Sequence, residues 1–361
     1  IRKGKKMNRI DNLFASISLK NNQAVVLHSA PNIYYMSDYT GEGIVVIAHN
    51  IKAIITDFRY TEQAEKQSPD FEIIMVDAQH NHNKCLADLL FKNDISSVFA
   101  EQDFISHKSY EMLQNAIKNV SILDLGNSIR MLRSIKDEKE ISYIRKACEI
   151  TGESLLALLP FIKEGCTEKE ITARLEYIMK QKGSDELAFN TICAAGANGS
   201  LPHAVPSEYK VQKGDIITFD FGAKYKGYCA DMTRNVSLGT PSDTMAKVFD
   251  TVKEAQQLGK DALKPGVKCS DIDKIVRDFI ADKGYAGRFG HGLGHAVGIE
   301  IHEEPRLSPS CSDITKVNHI LTVEPGIYLP GIGGVRIEDS CRVTENGNEA
   351  LTTISRELFI V

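Results

Sequence analysis

Residues 8–134 alternate short apolar runs with longer, more polar stretches. The runs Ala24–Leu27, Gly43–Ala48, Ala53–Thr56, Glu72–Val76 and Ser97–Ala100 read as strands. The stretches 8–20, 59–67, 82–92 and 106–118 read as helices. Strands alternating with helices predict an α/β domain over residues 7–134. The pattern changes near Ser134. Asp137-Glu-Lys-Glu140 opens a charged helical stretch whose acids complement the positive end of a helix. Helices are predicted over 137–159 and 167–182, from a Ser242 cap to Pro265-Gly266, and from a Ser270 cap to Gly284. Two β-rich regions follow these helix pairs, so a second domain is expected over residues 135–361.

The β-rich regions read as hairpins, each carrying two acids. Asp220, in Ile216-Ile-Thr-Phe-Asp-Phe-Gly222, and Asp231, in Tyr228-Cys-Ala-Asp-Met-Thr-Arg234, flank a turn-like stretch. A turn centred between Tyr225 and Lys226 sets them opposite each other. Glu324 and Glu338 flank Leu329-Pro-Gly-Ile-Gly-Gly334 and face each other about residue 331. Facing residues have Cβ atoms roughly 5 Å apart, close enough to share a cation.

An internal repeat joins the two regions. Residues 161–183 align without a gap to 262–284, at an offset of 101. Lys163/Lys264, Gly165/Gly266, Ile171/Ile272 and Lys182-Gly183/Lys283-Gly284 are identical, and Asp220-Phe-Gly222 matches Glu324-Pro-Gly326 at an offset of 104. Each half is then two helices followed by a two-acid hairpin. A twofold duplication of that unit places the hairpins around one pseudo-axis.

Four converging carboxylates repel one another and raise each other's pKa. With His295, which closes Gly290-His-Gly-Leu-Gly-His295, they form a ligand set suited to two divalent cations, four negative charges against four positive. Any one of these acids alone reads as an ordinary strand or turn residue. His291 and His295 have the spacing of a helical zinc motif. Three intervening or flanking glycines make a helix costly, at roughly 1 kcal/mol each, and favour a glycine-rich strand or loop. His203 and His302 are candidates for proton handling. Arg336, two residues before Glu338, is expected to share its strand face and to hold that carboxylate bidentately.

Composition narrows the field. The 361 residues are 42% hydrophobic and 25% charged with net charge −5, ordinary for a globular protein. No basic patch points to nucleic acid, and no run of 18 apolar residues points to a membrane span. Ile1–Lys6 is basic but lacks a following apolar core, so it is not read as a signal peptide, and Met7 is the expected natural start. The front region has neither a Gly-x-Gly-x-x-Gly nor a Gly-Lys-Ser/Thr loop, and His80 and His82 are read as surface residues before a helix. Eight cysteines without Cys-x-x-Cys spacing are expected to be reduced, which fits the cytoplasm. Cys229, near Asp231, is expected to pack rather than to bind metal.

The ordered set Leu201-Pro-His, Asp220-Phe-Gly, Asp231-Met-Thr-Arg, His291-Gly-Leu-Gly-His, His302-Glu-Glu-Pro, Glu324-Pro-Gly and Arg336-Ile-Glu-Asp resembles the dinuclear "pita-bread" peptidases, which include aminopeptidase P, prolidase and methionine aminopeptidase. The likeness covers about residues 135–361. The α/β front domain resembles the proline-specific branch. The resemblance implies an α+β chain with a pita-bread catalytic domain behind a smaller α/β domain. It implies that Asp231 and Glu338 bridge two metals, Asp220 completes one, and His295 and Glu324 complete the other. It implies supporting roles for His203, His291, His302, Tyr328 and Arg336, with Glu324 also relaying a proton. Oxygen-rich ligands favour manganese, with cobalt, zinc and iron open. The implied reaction is hydrolysis of an Xaa-Pro bond at a peptide's amino end. Peptides with proline in second position are the expected partners, and a homodimer is expected by analogy. A methionine aminopeptidase with an added domain, or a non-catalytic binding protein of this fold, are the alternatives.

Overall fold

Apolar strands buried on both faces need no polar alternation, and that accounts for the front of the chain. A computed structural model describes residues 8–361, so the expectation for Ile1–Lys6 and Met7 lies outside the described residues. The chain forms two compact units, divided between Arg133 and Ser134. The first contains α1 (Arg9–Ile17), β1 (Gln23–Leu27), α2 (Ala30–Ser37), β2 (Ile44–Ala48), β3 (Ile51–Thr56), α3 (Thr61–Gln67), β4 (Glu72–Met75), α4 (His82–Lys92), β5 (Ser97–Ala100), α5 (His107–Ala116), β6 (Ser121–Asp124) and α6 (Ser128–Ser134). Its mixed sheet has the order β4-β3-β2-β1-β5-β6. Every residue of β2 is buried. Helix α4 begins where Asn81 accepts from the Lys84 amide. His82 opens this helix, and His80 sits exposed beside Asp77.

The sequence pattern gave no sign of α2, β6 or α6. Helix α2 buries residues on several sides, so it shows no polar stripe, and β6 has only two apolar residues, Ile122 and Leu123.

The second unit is built from the repeat. Helices α7 (Glu138–Leu158) and α8 (Glu168–Gln181) open with capping boxes, Asp137 with Glu140 and Thr167 with Glu170. Helix α9 (Asp243–Ala262) starts at the Ser242 cap. Helix α10 (Cys269–Ile280) differs from expectation. Its cap is Lys268, which offers no side-chain bond, and Ser270 lies inside the first turn. Lys268 is the repeat partner of Thr167. Both form an isolated antiparallel bridge, Thr167 with Lys210 and Lys268 with Ile314. The aligned glycines share conformation as well as identity. Gly165 and Gly266 have φ of 87° and 84°, and Gly183 and Gly284 have 99° and 91°. These left-handed positions favour glycine, which gives the repeated identities a physical reason. Ile171 and Ile272 are fully buried, in separate cores.

The strands of this unit are β7 (Glu186–Leu187), β8 (Ile192–Ala195), β9 (Ile216–Phe221), β10 (Ala223–Tyr225), β11 (Tyr228–Cys229), β12 (Met232–Ser237), β13 (Gly294–Ala296), β14 (Glu303–Leu307), β15 (Ile320–Val323), β16 (Gly326–Leu329), β17 (Gly333–Arg336), β18 (Asp339–Thr344), β19 (Gly347–Ala350) and β20 (Phe359–Ile360). The main sheets are β20-β12-β9-β8 and β14-β13-β15-β18-β19.

The second hairpin has the expected register. Val323 pairs with Asp339 and Gly326 with Arg336, a single alignment that sets Glu324 across from Glu338. The first hairpin corrects the expectation. Tyr225 pairs with Tyr228, so the turn is Lys226-Gly227, one residue later than expected. Both turn residues have positive φ, 49° and 75°, as two-residue hairpin turns require. Asp220 therefore faces Thr233 rather than Asp231.

Candidate metal centre

Strand breaks bring the acids together. Asp220 is on β9 and His295 on β13. Asp231 lies between β11 and β12, Glu324 between β15 and β16, and Glu338 between β17 and β18. A carboxylate in such a gap has left the ladder's strict alternation and can turn toward a shared centre. His295 Nε2 is 3.5 Å from Asp231 Oδ2 and 3.3 Å from Glu324 Oε1. Donor atoms of Asp231, His295 and Glu338 all lie within 4.8 Å of one another. The three residues are buried.

The surroundings orient this set. His295 Nδ1 is 3.1 Å from the Ala296 carbonyl, which can only accept. Nδ1 thus carries the proton, and Nε2 presents its lone pair to the acids. The Thr322 hydroxyl donates to Glu324 Oε1 at 3.1 Å and accepts from the His295 amide at 3.0 Å. Arg336 departs from expectation. Its Nη2 bonds Asp220 Oδ2 at 2.6 Å, across the seam between the hairpins, rather than its strand neighbour Glu338. Glu338 Oε2 instead accepts from the Thr233 hydroxyl at 2.7 Å, and that hydroxyl accepts from Arg336 Nε at 3.1 Å. Arg336 Nη1 donates to the Tyr328 hydroxyl at 2.8 Å, and His291 Nε2 lies 2.8 Å from the same oxygen. His291 Nδ1 faces the Gly292 carbonyl, so Nε2 is the acceptor. Arg336, Tyr328 and His291 form one directed chain of hydrogen bonds.

Electrostatics point the same way. Burial pushes the carboxyls of Asp231 and Glu338 far above their ordinary range, and neighbouring carboxylates add to it. Burial raises Glu324 to about 8. It lowers His295 to about 3 and His291 to about 4, so both rings are neutral. Asp220 Oδ1 and Glu338 Oε1 are buried without a hydrogen-bond partner among the described residues. Orphaned acceptors, crowded carboxylates and a neutral imidazole with a free lone pair fit divalent cations.

The model of metallopeptidase family M24 matches residues 142–345, and that of the creatinase/prolidase N-terminal domain matches residues 9–135. The chain belongs to metallopeptidase family M24. The Xaa-Pro dipeptidase of Pyrococcus horikoshii is 36% identical over 342 residues, 93% of this chain and 94% of that protein. Among solved structures, the Xaa-Pro dipeptidase from Bacillus anthracis has a TM-score of 0.93 at 37% identity, covering 98% of this chain and 99% of that one. The X-Pro aminopeptidase from Thermotoga maritima has a TM-score of 0.91 at 37% identity, covering 96% and 100%. The expected architecture, a pita-bread unit behind an α/β front domain, stands.

In this M24 unit Asp220, Asp231 and Glu324 line a cleft of about 350 Å³. Phe189, Ile192, Pro202 and Ile301 line its apolar side, and His203, His302 and Arg306 add polar groups. The His302 ring lies 4.4 Å from the His295 ring, edge to face. The structure thus gathers every expected site residue into one region. Cys229 packs as expected, its thiol against the Ile299 carbonyl. Three participants were not anticipated. Thr233 and Thr322 buttress carboxylates, and Arg306 stands across from His295 in the β13–β14 register. Thr322 lies two residues from Glu324, the acid it serves, a signal visible in the sequence, whereas Thr233 serves Glu338 from the other hairpin, a pairing no local pattern reveals. The position of Arg306 depends on a bulge between His295 and Ala296, which the sequence does not announce.

Proposed function

We propose that this M24 chain is an exopeptidase that hydrolyses the Xaa-Pro bond at the amino end of short peptides, using two divalent cations. The buried trio Asp231, His295 and Glu338, with half-buried Asp220 and Glu324 beside it on a cleft, carries this reading. Asp231 and Glu338 would hold both ions, Asp220 one, and His295 with Glu324 the other. When bound, two such cations polarise the scissile carbonyl and lower the pKa of a water that attacks it. Manganese suits the oxygen-rich donors best, with cobalt, zinc and iron as the other options.

The chain supplies the rest. His203 and His302 face the cleft, where an N–H donor stabilises charge developing on the carbonyl oxygen. Glu324 would take a proton from the attacking water and pass it to the departing proline nitrogen. The Arg336–Tyr328–His291 chain holds Asp220 and the cleft wall in register. The apolar side of the cleft suits a proline ring, whose missing N–H leaves no donor to satisfy. Arg306 is an exposed cation opposite His295; its Nε lies 3.5 Å from Glu304 Oε1, and the remaining guanidinium donors suit a free carboxylate. That favours dipeptides over long chains. The free cysteines, and the lack of any helix among the described residues long and apolar enough to cross a membrane, support a cytoplasmic site of action. A homodimer is proposed from the family resemblance.

The test compares Ala-Pro, Ala-Pro-x, Ala-Ala-x, Met-Ala-x and N-acetyl-Ala-Pro-x with saturating manganese. Rapid cleavage of Ala-Pro, with slower cleavage of Ala-Pro-x, is expected. Equal rates on Ala-Ala-x refute proline specificity. Preference for Met-Ala-x favours a methionine aminopeptidase. Cleavage of the acetylated peptide refutes exopeptidase action.

A further inference from the structure

Behind the acids lies a second buried charge cluster that takes no part in the chemistry above. Arg234 on β12 and Asp339 on β18 come from opposite halves of the repeat, and each is 1% exposed. Arg234 Nη2 meets Asp339 Oδ1 at 2.7 Å and the Ile354 carbonyl at 3.0 Å. Nε donates to the Ser355 carbonyl at 2.9 Å. Nη1 donates to two further carbonyls, those of Thr233 and of Glu338. All five guanidinium donors are thus engaged. Asp339 is saturated as well, by Arg234, Thr352, Lys260 and Gln256.

The targets of Nη1 matter most. Glu338 is itself an acid of the cage, and Thr233 is two residues from Asp231. The same seam carries further ties, among them the Thr233 hydroxyl to Glu338 Oε2 and the Arg336 bonds to Thr233 and Asp220 already described. The Glu338 amide donates to the Thr233 carbonyl at 3.2 Å, and the Ser340 hydroxyl donates to the Asp231 carbonyl at 2.9 Å. Asp231 and Glu338 belong to different hairpins, so no ladder within either hairpin sets the gap between them. These cross-seam bonds do.

We propose that Arg234 is a positioning residue that fixes the spacing of Asp231 and Glu338, and so sets how tightly the cage holds its two cations. The planar fork makes this a role for arginine. A lysine keeps the charge toward Asp339 but cannot reach the carbonyls together. Groups that orient ligands from behind typically change metal affinity by roughly 10–100-fold when altered. The inference rests on the metal-centre reading, and wild-type protein tests that reading separately.

Manganese binding is measured by equilibrium dialysis, with electron paramagnetic resonance to distinguish a coupled pair of ions from isolated ones. The variants are Arg234→Lys, Lys260→Gln and Ser340→Ala. Wild type is expected to bind two ions and give a coupled signal. If it binds none, the metal-centre reading fails. Arg234→Lys is expected to stay folded by circular dichroism, bind manganese about tenfold or more weakly, and lose the coupled signal. Lys260→Gln is expected to melt earlier with unchanged manganese affinity, because Arg234 still holds the seam. Wild-type affinity in folded Arg234→Lys overturns the proposal, as does an equal loss in Lys260→Gln. If Arg234→Lys does not fold, Ser340→Ala decides. Weaker binding with an intact fold supports the seam's role, and unchanged binding overturns it.

Discussion

The two hairpins of the catalytic unit share a plan but differ in what faces what. In the second, Glu324 lies across from Glu338, acid against acid. In the first, Asp220 faces Thr233, and Asp231 sits beyond the ladder. Thr233 then serves the other half, donating to Glu338 while accepting from Arg336. A second difference is the imidazole. Ala194 lies opposite Thr218 on β8 and β9. In the second half the amide of His295 bonds Thr322, and Thr322 matches Thr218 at the same offset of 104. The backbones repeat and the ligand atoms do not. Symmetry supplies the scaffold, and small departures from it supply the chemistry.

The largest effect tests whether one acid from each half is indispensable. Asp231→Asn and Glu338→Gln should each lose at least one metal equivalent and nearly all turnover while keeping native circular dichroism. Full activity in either removes its bridging role. Next come groups that only the second half provides. His302→Ala should cut kcat by about 10²–10³, the usual cost of losing an oxyanion donor, while still binding nearly two metals. Metal loss matching that of Asp231→Asn would make His302 a ligand. Arg306→Ala should raise KM for Ala-Pro by about tenfold, equivalent to about 1.4 kcal/mol, and barely affect a C-terminally amidated peptide. Equal effects on both substrates would exclude carboxylate recognition.

The smallest effect concerns the cation-free cage. Glu324 is raised from 4.5 to about 8, and Asp231 and Glu338 are raised too. The folded state then binds more protons than the unfolded one, so stability falls as pH rises through that range. His295, lowered to about 3, acts the other way, but only below about 6.5. Between pH 6.5 and 8, metal-stripped protein should therefore melt at progressively lower temperature, and added manganese should restore more at pH 8 than at 6.5. A flat melting temperature over that window would show that the acids do not hold protons in the absence of metal.

The sequence was informative wherever a local rule decides the outcome. The Pro-Gly and Gly-Gly pairs pinned the second turn, and the repeated glycines marked left-handed positions. The first turn slipped by one residue because Ala223-Lys-Tyr-Lys-Gly-Tyr228 contains a single glycine. The need for positive φ at two successive residues would have selected Lys226-Gly227. The partner of Arg336 was misjudged for another reason. Strand alternation predicts neighbours on one strand, whereas its carboxylate comes from the other hairpin, 116 positions away in sequence. The Arg234 cluster depends on the same long-range packing, which no local pattern encodes.

The one-sided imidazole bears on how such a site can arise. Two identical chains around a twofold axis must present the same residues on both sides. A pair of first halves would offer Asp220 and Asp231 twice and no counterpart of His295, and a pair of second halves would offer His295 twice. When both halves lie in a single polypeptide, substitutions can accumulate on one side alone. Joining the halves in one chain releases the site from that constraint, so that one side can carry an imidazole the other lacks.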